Sequence, residues 1–166
     1  IDPVQRFIQH VSSDVSFSSV AKALVQTIVA WVKADNAAVM LSKSLQGKYE
    51  VETFAKPLED DFYKLTISES VFFHHKIPFG EWIRIESIQE QKEISFARQT
   101  DFNYLILLPL YTNKETYGAL LLFKKGEKVP KPLTDRQHLF IRTASAILWE
   151  AIAHEQLNLE NRRKDL

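Results

Sequence analysis

The sequence predicts an α+β domain with an antiparallel central sheet, and three observations predict it. Two amphipathic helical stripes open the chain, short apolar or alternating runs fill its centre, and one long unbroken helical pattern closes it. The order is helix, helix, strand, strand, a mixed segment, strand, strand, strand, long helix. The strongest signal is Tyr104 to Tyr111, YLILLPLY, followed by Asn113-Lys114-Glu115-Thr116 as a polar turn and Tyr117 to Phe123, YGALLLF. Nearly every position is apolar, so both faces of this hairpin should be covered, one of them by helices. A sheet wrapped on both faces has room for a pocket.

Val4, Phe7, Ile8 and Val11 follow Pro3 at the spacing of a short one-sided helix, which the run Ser12 to Ser16 should break. From Phe17 to Ala34, the positions Val20, Leu24, Ile28, Trp31 and Val32 describe a second helix, with Ser16 or Ser18 as N-cap and Asp35-Asn36 as its end. Ala37 to Leu41 and Tyr49 to Phe54 read as strands around the turn Gln46-Gly47-Lys48. In the middle, Asp61 to Ile67 and Glu81 to Ser87 have strand patterns, and Ser68 to Lys76 reads as a short helix capped by Ser68. Ile88 to Thr100 is expected to be a polar helix or loop. The closing helix opens with Thr134-Asp135-Arg136-Gln137, a capping box, and meets no Gly or Pro before Leu166.

At 166 residues, the chain is most simply one domain able to bury a core without staples. Its 21 basic and 21 acidic side chains cancel, which removes the general pull toward nucleic acid or an anionic membrane. The absence of cysteine excludes disulfides, thiolate metal sites, thiol nucleophiles and thioether-linked cofactors. No apolar run approaches the length of a membrane span. Opening on Ile1-Asp2-Pro3, the chain reads as an excised, soluble, cytoplasmic piece of a longer protein.

The helix closing on Lys33-Ala34-Asp35 and passing into Ala37-Ala38-Val39-Met40-Leu41 resembles the opening of the GAF family of small-molecule-sensing and dimerising domains. Leu107-Leu108-Pro109-Leu110, a polar turn and Tyr117-Gly118-Ala119-Leu120 are similar to the family's hairpin, and Leu133-Thr134-Asp135 to its closing helix. Lys76-Ile77-Pro78 sits at a step the family often has between its short helix and next strand. The likeness covers roughly Phe17 to Ala153. It implies a GAF/PAS-like layout: a six-stranded antiparallel sheet, the terminal helices on one face, and a ligand pocket or its vestige in a short-helix and loop region on the other. On this reading 1–16 is an N-terminal helix and connector, 17–153 the GAF-like domain, and 154–166 an extension toward an output module. The chain lacks the Asn-Lys-x-Phe-Asp-Glu pattern of cyclic-nucleotide binding. Without cysteine it cannot attach a bilin covalently or carry out the methionine-sulfoxide reduction that some members perform.

Candidate ligand contacts come from the aromatic-rich middle, where Phe62, Tyr63, Phe72, Phe73, Phe79, Trp82, Phe96, Phe102 and Tyr104 cluster. Such side chains either wall a cavity or fill it. Phe73, His74, Trp82 and Tyr104 are the expected contacts if a ligand is bound. His74-His75 offers a haem or metal ligand, but neighbouring residues point apart and further ligands are missing nearby, so a capping or solvent-facing role is expected and haem is not. Glu59-Asp60-Asp61 lacks the alternating spacing of a calcium loop and reads as a solvated loop. Arg162-Arg163-Lys164 reads as a solvated helix face. There is no Gly-x-Ser-x-Gly elbow, phosphate loop or His-Glu-x-x-His, so no catalytic residues are assigned and no enzyme activity is expected.

The terminal helices are expected to form a parallel homodimer. Ile141, Ala144, Leu148 and Ala151 can face the sheet, while Ile152, Leu159 and Leu166 recur every seven residues on another stripe. Val4, Phe7, Ile8 and Val11 supply a matching strip, and two chains could build a four-helix bundle. The expectation is a regulatory sensor domain of a bacterial signalling protein, with no nucleic-acid partner and no membrane insertion. A ligand-free dimerisation spacer is the first alternative and a small enzyme on the same scaffold the second.

Overall fold

The computed structural model describes residues 2–13, 16–42, 48–59, 62–63, 66–68, 83–86, 104–111, 116–126 and 131–164. Helices α1 (Pro3–Ser13) and α2 (Phe17–Val32) precede strands β1 (Asn36–Ser42), β2 (Lys48–Phe54), β3 (Thr66–Ser68), β4 (Ile83–Glu86), β5 (Tyr104–Tyr111) and β6 (Thr116–Lys124). Helix α3 (Asp135–Lys164) closes the chain. The strands form one antiparallel sheet in the order β3-β2-β1-β6-β5-β4, with the apolar hairpin β5-β6 near its middle.

Several boundaries differ from the sequence reading. Helix α1 runs through Ser12 and Ser13 rather than breaking at them. Helix α2 stops at Val32, because Lys33 adopts a left-handed conformation (φ 56°) and its N–H returns to the Val29 carbonyl. Ser16, not Ser18, is the N-cap: its hydroxyl accepts from the Ser19 N–H at 3.3 Å. Within the expected strand Asp61 to Ile67, Phe62 N–H turns back to the Glu59 carbonyl at 3.0 Å and Thr66 and Ile67 belong to β3, while Asp61, Lys64 and Leu65 lie outside the described residues. Ser68 is the last residue of that strand, and the short helix expected after it, up to Lys76, lies outside the described residues, as does Ile88 to Thr100.

Alternation along the strands divides the core in two. Ala37, Val39, Leu41, Ile106, Leu108, Leu110, Leu120 and Leu122 face the helices, where Val20, Leu24, Ile28, Phe140, Ile141, Ala144 and Leu148 meet them. Met40, Leu105, Leu107, Leu121 and Phe123 are equally buried on the opposite face, together with Tyr49 and Ile67, and Leu58 and Phe62 pack on them. Both faces of the hairpin are therefore covered, as its apolar composition requires.

Two bulges redirect side chains. Leu110 pairs with Gly118 and Tyr111 with Thr116, which leaves Tyr117 as an extra residue on β6. Its side chain joins the helix-side core and its hydroxyl donates to the Ser145 carbonyl of α3 at 2.6 Å. Val39 pairs with Thr53 and Met40 with Val51, which makes Glu52 the extra residue on β2, and Glu52 Oε1 accepts from the Ser18 hydroxyl of α2 at 3.1 Å. Each bulge thus ties the sheet to a helix.

Candidate functional site

A cavity of about 440 Å³ opens on the helix side, where the C-terminus of α2, the N-terminus of α3 and the ends of β5 and β6 converge. Ile106 and Leu122 line it from the sheet, Trp31 and Val32 from the last turn of α2, and Leu133 from the approach to α3. Ile106, Leu122 and Leu133 are buried, whereas Trp31 and Val32 are half-buried. Lys33, Lys124 and Lys131 add three ammonium groups, Lys124 half-buried and the other two exposed.

The polar wall is built by local capping. Thr134 and Gln137 form the reciprocal pair expected from the sequence: Gln137 N–H donates to Thr134 Oγ1 at 3.2 Å, and Thr134 N–H donates to Gln137 Oε1 at 2.9 Å. Because Lys33 is left-handed, its carbonyl turns out of the helix and accepts from Lys124 Nζ at 3.2 Å. The pairing of β1 with β6 sets this meeting, anchored by Asp35 N–H on the Phe123 carbonyl at 2.9 Å and Lys125 N–H on Asp35 Oδ2 at 2.7 Å. Arg136 reaches over the Trp31 ring at 6.0 Å and pairs with Asp2 at 3.4 Å. Trp31 in turn packs on Phe140 with centroids 5.7 Å apart.

Of the expected ligand contacts, Tyr104 lines this cavity, half-buried at the start of β5. Phe73, His74 and Trp82 lie outside the described residues. From the aromatic cluster, Phe62 packs on the face opposite the helices, and Tyr63 stands edge-on to Phe54 at 5.1 Å. Glu59 is exposed, and Asp60 and Asp61 lie outside the described residues. Among the described residues no group of three His, Asp or Glu side chains is placed to hold a metal ion.

The expected dimer residues divide. Phe7 and Val11 are buried in the chain's own core, with the Phe7 ring edge-on to Phe140 at 5.2 Å. Val4 and Ile152 pack against that core half-buried, and Ile8 stands 55% exposed. Leu159 lies in α3, within the stretch whose side chains are not described, and Leu166 is outside the described residues.

The sequence reading passed over Trp31 as a site residue, and with it Lys33, Lys124, Lys131 and Gln137. No local pattern links positions 33, 124 and 131, which only the pairing of β1 with β6 and the docking of α3 bring together.

No protein-family model and no curated protein matches the sequence. Solved structures do match. The chain is similar to the GAF domain of a phosphoenolpyruvate-protein phosphotransferase from Acinetobacter, with 18% identity, a TM-score of 0.72, and 94% of this chain and 93% of that one covered. It is likewise similar to the corresponding GAF domain from Coxiella burnetii, at 14% identity and a TM-score of 0.72, with 94% of each chain covered. A third likeness, at 11% identity and a TM-score of 0.66, is to the free methionine-R-sulfoxide reductase from Neisseria meningitidis in complex with its substrate, covering 93% of this chain and 89% of that one. The chain has the GAF-domain fold.

Proposed function

We propose that the chain is a regulatory sensor domain of a signal-transduction protein, which binds a small molecule, pairs with a second copy through its terminal helices and passes the signal along α3 to an output module. The observation that carries this reading is the course of α3. Its start lies beside the C-terminus of α2, and Glu155 Oε1 accepts from the Phe17 N–H at 3.4 Å at the other end of α2, so the two helices run antiparallel along one another. From Glu155, the helix continues to Lys164, past the start of α2, a further rise of roughly 14 Å. A rigid rod that leaves the body of the domain conveys a change in its pairing or tilt to whatever it enters.

The ligand of this reading contacts Phe73, His74, Trp82 and Tyr104. The domain performs no turnover, since the chain has no thiol and no nucleophile or metal motif. A fold shared with both regulatory domains and a reductase does not itself decide the matter.

A metabolite thermal-shift screen paired with light scattering tests the proposal. A compound that raises Tm in a concentration-dependent way, alters self-association and loses its effect in Trp82→Ala supports it. Self-association without any hit indicates the spacer instead. Activity in a hydrolase and transferase panel that survives repurification and disappears with one pocket substitution overturns the non-catalytic reading.

A further inference from the structure

The floor of the α2–α3 cavity is apolar and its rim is cationic. Ile106, Leu122, Leu133, Val32 and the Trp31 ring offer hydrocarbon, while Lys33, Lys124 and Lys131 stand at the edge and no Asp or Glu is among the described lining residues. Of the carboxylates adjacent in sequence to the lining, Asp35 accepts from Lys125 N–H, and Asp135, in the first turn of α3, is exposed and outside the lining. The geometry points to a binding site for a small organic anion with an apolar body and a terminal carboxylate, held on the helix side of the sheet.

Each half of the site alone is weak. Exposed lysines by themselves hold an inorganic anion poorly because water and salt screen them, and an open apolar floor by itself has no means of orienting its occupant. Together they select a molecule that is apolar at one end and negative at the other. The hydrocarbon leaves water against Ile106 and Leu122 while the carboxylate stays at the solvated rim, so neither desolvation penalty is large. Lys124 is pre-positioned, because one of its N–H groups is fixed on the Lys33 carbonyl and two remain. Gln137, only 9% exposed, has its oxygen held by Thr134 N–H, which leaves its NH2 as a neutral donor in the wall. A volume of about 440 Å³ falls within the span of small-molecule clefts, roughly 300–1,000 Å³. The occupant would touch the residues that cap α3, at the opposite end from its projecting turns.

Of the residues expected to contact the sensor ligand, Tyr104 lines this cavity, while Phe73, His74 and Trp82 lie outside the described residues. The test is calorimetric titration of the whole chain with decanoate below its micelle concentration, with decanol as uncharged match and inorganic phosphate as bare anion, alongside amide chemical-shift mapping. Saturable one-to-one binding of decanoate is expected, weakened by added salt, with shifts at 31–34, 104–106, 122–124 and 131–137. Each Lys→Gln change at positions 33, 124 and 131 should weaken decanoate about threefold, and the triple variant about tenfold or more, without changing decanol affinity. The absence of saturable binding overturns the inference, as does equal affinity for decanol or phosphate. Unchanged decanoate affinity in a folded triple variant overturns it too. Should the triple variant not fold, the salt dependence and shift map of the wild type decide. Shifts confined to the other face, abolished by Trp82→Ala, would favour the sensor pocket and reject this site.

Discussion

Burial of the Tyr117 phenol disfavours its phenolate and lifts the pKa well above the ordinary tyrosine value of 10.0, against a smaller lowering from its hydrogen bond with Ser145. The folded chain therefore keeps this proton at a pH where the unfolded chain has lost it. Stability from this group is complete below about pH 10 and is lost as pH rises above it, with a slope of about 1.4 kcal/mol per pH unit for one proton. Tyr117→Phe should cost about 1 kcal/mol at neutral pH through the lost bonds to Ser145, yet flatten the alkaline decline, which urea unfolding between neutral pH and about pH 11 would resolve. The next residue sets a steric limit. A Cβ on Gly118 would collide with the Met40 carbonyl oxygen and approach Leu41 Cδ2 at 3.1 Å, so Gly118→Ala forces β1 and β6 apart. A loss of about 1–3 kcal/mol is expected in the same assay. At Gly126, where nothing stands within 4 Å, the penalty for alanine arises from the positive φ of 95° alone and should be about 1 kcal/mol.

Elements in this chain are decided mostly at their ends. Lys33 holds a left-handed φ of 56° that glycine adopts without a Cβ penalty, so Lys33→Gly should raise stability by up to about 1 kcal/mol. Thr134→Ala removes the acceptor for Gln137 N–H and should lower stability by about 1 kcal/mol, and a pair of thermal melts with opposite displacements would check both. The Thr134 box was legible because its partners are three residues apart, and the β5-β6 hairpin because unbroken apolar runs mark strands covered on both faces. The role of Asn36 was not legible. Taken from sequence as part of a helix stop, it begins β1 nearly buried, with Oδ1 accepting from Lys56 N–H at 2.9 Å and Nδ2 donating to the Lys56 carbonyl at 3.2 Å. Its partner is twenty residues away, and no local pattern announces such a bond. Tyr117 and Glu52 escaped for a related reason, since a bulge breaks the two-residue alternation on which a strand reading depends. The α2–α3 cavity depends on longer pairings still, and its three lysines look like ordinary solvated charges until β1 is laid beside β6.

At the scale of the whole molecule, the question is how much of the amphipathic terminal surface the chain uses on itself. The sequence stripe Val4, Phe7, Ile8 and Val11 could serve a partner chain or the chain's own core, because periodicity names an apolar face without naming what covers it. Phe7 and Val11 are buried against the chain's own helices, and the Phe7 ring meets Phe140. Their immediate neighbours Ile8 and Leu139 remain 55% and 59% exposed, on α1 and α3 respectively. Two large exposed hydrophobics beside an intramolecular ring contact are candidates to be covered by a second copy. The wild type is therefore expected to self-associate with rising concentration, weakly, as befits a thin seam. Ile8→Asp combined with Leu139→Asp should yield a monomer that keeps its helical circular dichroism and nearly its full Tm, since neither side chain is buried. Phe7→Asp, by contrast, places a carboxylate in the core and should cost several kcal/mol, on the order of 3 or more, so its loss of association would report unfolding rather than a lost interface. Light scattering read beside circular dichroism separates the cases. A wild type that stays monomeric at high concentration, or an Ile8→Asp/Leu139→Asp variant that associates as strongly as the parent, would remove the terminal helices as the means by which two copies pair.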